Sequence, residues 1–138
     1  MSSSVTAHEP LHVVDTHALI WYLLGSKLLG SNAREIFLAA ERGETRLYVS
    51  SISVAEMYYA NRKFQWFSDF SLVYQDLRSK PYFRFVPFAA DDVLAFDADE
   101  AVPEMHDRII AGLARRLGAP IVTSDPQIAA AKLISVIW

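Results

Sequence analysis

Residues 107–125 read DRIIAGLARRLGAPIVTSD, and the order of signals in this stretch decides the fold. Ile110, Leu113, Ala114 and Leu117 recur at helical spacing, which predicts an amphipathic helix over Asp107–Leu117, stopped by Gly118. PIVT, residues 120–123, then reads as a short β-branched strand that runs into Asp125. A helix that opens on one acid thus leads to a strand that closes on another.

The same alternation extends upstream. Leu11-His12-Val13-Val14 is a buried-type strand ending at Asp15, and the apolar run Ala18 to Leu24 predicts a helix directly after it. A second helix is predicted over Ser31 to Arg42, capped by Ser31 or Asn32 and stopped at Gly43. RLYVS, residues 46–50, is the next strand, and Ser51 or Ser53 can cap a helix through Glu56 to Tyr59. An aromatic helix is expected from about Trp66 to Ser79, closed by Pro81. FRFVPF, residues 83–88, gives a third strand ended by Pro87, Asp91 or Asp92 opens a helix through Phe96, and a last strand is expected within Ile134–Ile137. Strands alternating with helices imply βαβ crossovers, so the expected class is α/β, a three-layer sandwich with a parallel central sheet flanked by helices. Residues 1–10 are expected to form a flexible N-terminal tail and residues 11–138 a single domain.

Composition narrows the function classes. With 52% hydrophobic and 21% charged residues, the 138-residue chain has the apolar content to cover both faces of a sheet. It has no cysteine, which excludes disulfides and thiolate zinc sites and points to a reducing compartment, the cytoplasm. The polar start MSSSVTAHEP and the shortness of the longest apolar run predict neither export nor membrane insertion. A net charge of -3 argues against gripping nucleic acid by electrostatics alone. Acids clustered around divalent cations would reverse the sign of such a site locally.

Four carboxylates are candidates for that cluster. In an open parallel sheet the ligand site lies beyond the carboxyl ends of the strands, where Asp15 and Asp125 fall. Glu56 sits among apolar and aromatic neighbours in SVAEMYYA, where a lone charge is costly, and Asp107 stands at the amino end of its helix. Hard cations such as Mg²⁺ or Mn²⁺ take oxygen ligands, acidify water and support phosphodiester hydrolysis without a side-chain nucleophile. No Gly-rich phosphate loop, GxSxG or HExxH offers a rival chemistry. Each acid also has a plainer reading: Asp15 and Asp125 as helix caps, Asp107 as a partner of the helix dipole, Glu56 as an ion-pair partner of Arg62 or Arg108.

The segments HVVDTHALIWYL (12–23), SSISVAEMYYA (50–60) and PEMHDRIIAGLARRLGAPIVTSD (103–125), in this order and spacing, closely resemble the PIN-domain ribonucleases, in particular the toxins of type II toxin-antitoxin pairs. The resemblance spans about Leu11 to Ile137 and is most specific in HDRIIAGLARRLGAPIVTSD. It implies Mg²⁺- or Mn²⁺-dependent endonucleolytic cleavage of RNA, inhibition by a cognate antitoxin, and a homodimer. It places the four acids of the site on Asp15, Glu56, Asp107 and Asp125, as catalytic and metal-binding residues, with the Thr123 hydroxyl in support. Glu104 is left outside this set.

Other residues carry less. His17 and His106 adjoin Asp15 and Asp107, but a helix starting at residue 16 is expected to turn His17 away, and His106 is expected to order a loop. His8 and His12 have no acid pattern nearby. Tyr58, Tyr59, Phe64, Trp66, Phe67, Phe70 and Tyr74 could be core, an RNA-stacking surface or a partner groove, and Arg62, Lys63, Arg78, Lys80 and Arg84 a solvated face or an RNA guide. The alternatives to a toxin are a PIN-like nuclease in RNA or DNA processing and a non-catalytic binding module of the same fold. A receiver-type phosphotransfer domain calls for a lysine after a late strand, and none occurs between PIVTSD and Lys132.

Overall fold

The computed structural model describes residues 10–138. Residues 1–9, which make up most of the expected tail and include His8, lie outside the described residues; the Pro10 carbonyl accepts from Arg46 N at 3.0 Å. Five parallel strands form one sheet in the order β3-β2-β1-β4-β5: β1 (Leu11–Val14), β2 (Arg46–Ser50), β3 (Phe83–Val86), β4 (Ile121–Val122) and β5 (Val136–Ile137). This is the parallel, helix-flanked sheet that the sequence pattern predicts. The register pairs Val13 with Tyr48 on one side and with Ile121 on the other.

Alternation along the strands feeds two separate cores. Val14, Leu47, Val49, Phe83 and Val122 face the first, filled by Ala18, Leu19 and Ile20 of α1 (Thr16–Leu24), Phe37 of α2 (Ser31–Glu41), Met57 of α3 (Ser51–Phe64) and Leu77 of α4 (Phe70–Ser79). Val13 and Ile121 face the second, covered by Ile110, Ala111, Leu113 and Ala114 of α5 (Met105–Leu117) and Ile128 of α6 (Pro126–Ala131). Each fully buried Leu, Ile or Phe contributes roughly 1.5–3 kcal/mol, so one-residue slips of register, which would swap the two cores, are strongly opposed. No helix among the described residues is long and apolar enough to cross a membrane.

Several element boundaries differ from expectation, each for a local reason. The aromatic helix starts at Phe70, because Asp69 caps Leu72 N at 3.2 Å and the Asn61 side chain holds both the N–H and the carbonyl of Phe67 in a turn. Trp66 and Phe67 therefore precede α4, while α3 runs on to Phe64 and stops at Gln65, whose φ is 55°. Ser50 caps α3 in place of Ser51 or Ser53. Gly30 stands at the α2 cap instead of Ser31 or Asn32: a Cβ there would meet the Trp138 carbonyl oxygen at 2.5 Å, and that oxygen accepts from Asn32 N. The helix expected after Asp91 is a 3₁₀ helix, Ala90–Asp99. Its last residue, Asp99, is 1% exposed and paired with Arg115 of α5.

Candidate functional site

The chain builds β1, β2 and β3 outward in one direction, then crosses back to add β4 and β5 on the other side of β1. The carboxyl ends of β1 and β4 therefore form the topological switch point, where an open parallel sheet leaves a crevice. Asp15 leaves β1 there, held by its N–H on the Val122 carbonyl at 3.0 Å, and Asp125 leaves β4. Each caps the next helix, Asp15 on Thr16 N at 2.7 Å and Asp125 on Gln127 N at 2.8 Å, so the plain capping reading holds as well. Thr123 joins them: its hydroxyl donates to Asp15 Oδ2 at 2.7 Å and accepts from Asp125 N at 3.0 Å.

Glu56 and Asp107 complete the rim. Thr16 donates its hydroxyl to Glu56 Oε1 at 2.6 Å, which couples the start of α1 to the second turn of α3. Arg62 and Arg108 have other partners: Arg62 reaches the Tyr58 hydroxyl and Arg108 the Val102 carbonyl. Helix α5 begins at Met105, two residues before the expected start, because Glu104 caps it by accepting from His106 N and Asp107 N, both at 3.0 Å. Asp107 is thereby fixed within the first turn. The His106 imidazole lies 3.1 Å from Glu104 and 3.9 Å from Glu56.

Asp15, Glu56, Asp107 and Asp125 line one open cleft of about 640 Å³, together with Thr16, His17 and Trp21. The charges are frustrated there. Burial pushes the Asp15 carboxyl up, against the lowering effect of its hydrogen bonds to Thr123 and Thr16 and of nearby His17. Asp107 is pushed up to about 7, first by burial, then by its hydrogen bond to Asp125 and the charges of Asp125, Asp15 and Glu104. Glu104 feels an upward push from burial, but its two backbone hydrogen bonds and His106 hold it below the usual range. Like charges this close favour either a shared proton or a cation.

Among the described residues, no three His, Asp or Glu side chains close on a single point tightly enough to hold an ion by themselves. Asp107 and Asp125 interact most directly, since after burial Asp125 is the main cause of the upward push on the Asp107 carboxyl. An all-oxygen pair at the mouth of a wet cleft suits Mg²⁺, which binds through one or two carboxylates and retains several waters. The donor set, mostly carboxylate oxygens, therefore suits a hard divalent cation better than a soft one.

All four acids predicted from the sequence line this cleft, and Thr123 ties two of them together. His17, expected to point away from Asp15, lines the cleft with it, since the second residue of α1 still borders the β1 end. Thr16, Trp21 and Gln127 belong to the lining and were missed; Thr16 alone had a sequence signal, its place between two cleft residues in DTH. Glu104, left outside the set, positions Asp107. Among the aromatics, Tyr58, Tyr59 and Phe64 are exposed, whereas Trp66 and Phe70 pack on the first core. The basic residues are engaged locally, Arg78 over the Tyr74 and Phe85 rings and Lys80 beside Asp76, and none of the five lines the cleft.

Comparison with known proteins agrees with this architecture. The family model described as "PIN domain" matches residues 12–133. No curated protein matches the chain at a significant level. Similar solved structures include the VapBC2 complex of Rickettsia felis bound to a DNA fragment from its promoter, with a TM-score of 0.67, 15% identity, and 91% of this chain and 96% of that one covered. The Mycobacterium tuberculosis toxin VapC20, which cleaves the sarcin-ricin loop, gives 0.68 and 16%, covering 92% and 99%. DNA-bound VapBC from Salmonella typhimurium gives 0.65 and 20%, covering 92% and 96%. At such identities the likeness is one of fold.

Proposed function

Given that this chain belongs to the PIN domain family, we propose that it is a metal-dependent endoribonuclease acting in the cytoplasm as the toxin of a toxin-antitoxin pair. The observation that carries the reading is the meeting of Asp15, Glu56, Asp107 and Asp125 in one cleft, where Asp107 is pushed up to about 7. Similar folds found in VapBC complexes and in a toxin that cleaves the sarcin-ricin loop support the choice of substrate and partner.

Asp107 and Asp125 would hold Mg²⁺ or Mn²⁺, with Asp15 and Glu56 lining the same cleft. The bound cation supplies Lewis-acid polarisation of the phosphoryl group and a more acidic water. Asp15, both oxygens already engaged by Thr123 and Thr16, contributes fixed negative charge that needs no reorganisation. Glu56, oriented by the Thr16 hydroxyl, takes up the proton of the attacking water. Glu104 keeps Asp107 in place through the first turn of α5.

Purified protein incubated with RNA under Mg²⁺, Mn²⁺ or EDTA tests this. Cleavage is expected with either cation and not with EDTA, and Asp107→Asn is expected to slow it on the order of a hundredfold, the scale of losing one electrostatic element of an active site. Cleavage that ignores EDTA, or an Asp107→Asn variant as fast as wild type, would refute the assignment.

A further inference from the structure

Beside the acidic cleft lies a second recess of about 530 Å³ that shares Thr16, His17 and Glu56 with it. Its own walls differ in character. Ile20 of α1 and Ile52, Ala55 and Tyr59 of α3 make them apolar, and His106 joins the lining. Tyr59 is 71% exposed, its ring set edge-on against Tyr58. The volume falls within the range of about 300–1,000 Å³ typical of small-molecule sites.

Resting on the reading of the cleft as a phosphodiester site, we propose that this recess receives the unpaired base of the nucleotide next to the scissile phosphate, with Tyr59 as its stacking face. Continuity decides the occupant. A phosphate among the four acids leaves the adjoining base only a short reach from a recess that shares three residues with the cleft. A base offers an apolar π-face for Tyr59 and Ile52 and polar edges for Thr16, Glu56 and His106. A paired base stays within its stack and does not enter the recess, so a single strand is the probe that tests it. The chain's net charge of -3 makes a stacking contact the more useful, because overall electrostatics do not draw an RNA backbone to it.

The test measures binding, separately from cleavage. A fluorescently labelled, uncleavable 2′-O-methyl single strand is titrated with wild type, Tyr59→Ala and Ala55→Trp in Mg²⁺ by anisotropy. A matching set of strands carries one abasic residue, stepped along the sequence. Both substitutions fall at exposed helix positions, so the fold survives, as circular dichroism would verify. Tyr59→Ala is expected to weaken binding of the intact strand about tenfold. Ala55→Trp, which fills the recess, is expected to do the same. One position of the abasic residue should lower wild-type affinity by a similar factor and abolish the difference between wild type and Tyr59→Ala. Equal affinities on the intact strand, or an undiminished difference at every abasic position, would overturn the proposal and leave the recess to a protein segment. Metal-dependent cleavage of ordinary RNA by wild type reports the cleft independently, so failure of the two readings can be told apart.

Discussion

Replacing Asp107 by asparagine should stabilise the metal-free protein at alkaline pH. The Asp107 carboxyl ordinarily titrates near 3.8 and is pushed up to about 7 in the fold, so the native state holds this proton more tightly than the unfolded chain does. Its contribution is then complete at the acid end and is lost as pH rises from about 4 through about 7. At full strength that interval is worth roughly 4 kcal/mol. The side chain is only half-buried, and solvent screening reduces the figure to about 2 kcal/mol. Asparagine cannot ionise yet still offers a donor to Asp125. In EDTA at pH 8 the variant should therefore melt above wild type by about 6 °C, while at pH 4 the two should nearly coincide. Thermal unfolding followed by circular dichroism at both pH values measures this. Excess Mg²⁺ should narrow the gap at pH 8 by raising wild type more than the variant. A variant that melts below wild type at pH 8 in EDTA, or by the same offset at both pH values, would show that the cost of ionising the half-buried Asp107 is not what the cleft stores.

Two further substitutions probe the supports of the site. Thr123→Val removes the hydroxyl that serves both Asp15 and Asp125 N, and should cost about 1–3 kcal/mol in urea denaturation because Asp15 is only 8% exposed; Thr123→Ser should restore most of it. Arg115→Ala strands the buried Asp99 carboxylate and should cost about 3–5 kcal/mol by the same measurement, an outcome that a loss under about 1 kcal/mol would contradict.

Much of this architecture is legible in the chain because its strands are short apolar runs, and β1, β2 and β3 end on or run into an acid, a serine and a proline. Val13 and Val14 show why a parallel sheet reads as continuous hydrophobicity: neighbours in sequence, they fill opposite cores. That the four acids meet in one cleft was legible because each stands just past a strand or in the first two turns of a helix, near the edge the strands point to. Residues 61–69 were not, since the aromatic spacing of Trp66, Phe67 and Phe70 imitates a helix, while the decisive signal is the single Asn61 side chain that closes a turn on Phe67. His17 was misjudged for a related reason: helical periodicity describes a helix's sides, whereas its first turn also borders whatever lies beyond its end. The recess walled by Ile52, Ala55 and Tyr59 has no sequence mark, because it exists only through the angle at which α1 and α3 meet.

The bridge from Thr123 to Asp15 joins positions 108 residues apart. During translation the first acid leaves the ribosome long before its partner, and β4 can slot beside β1 only once α5 has been made. A nascent chain that stops short of β4 thus carries no assembled cleft, and whatever activity the protein has begins only after Asp125 has been made.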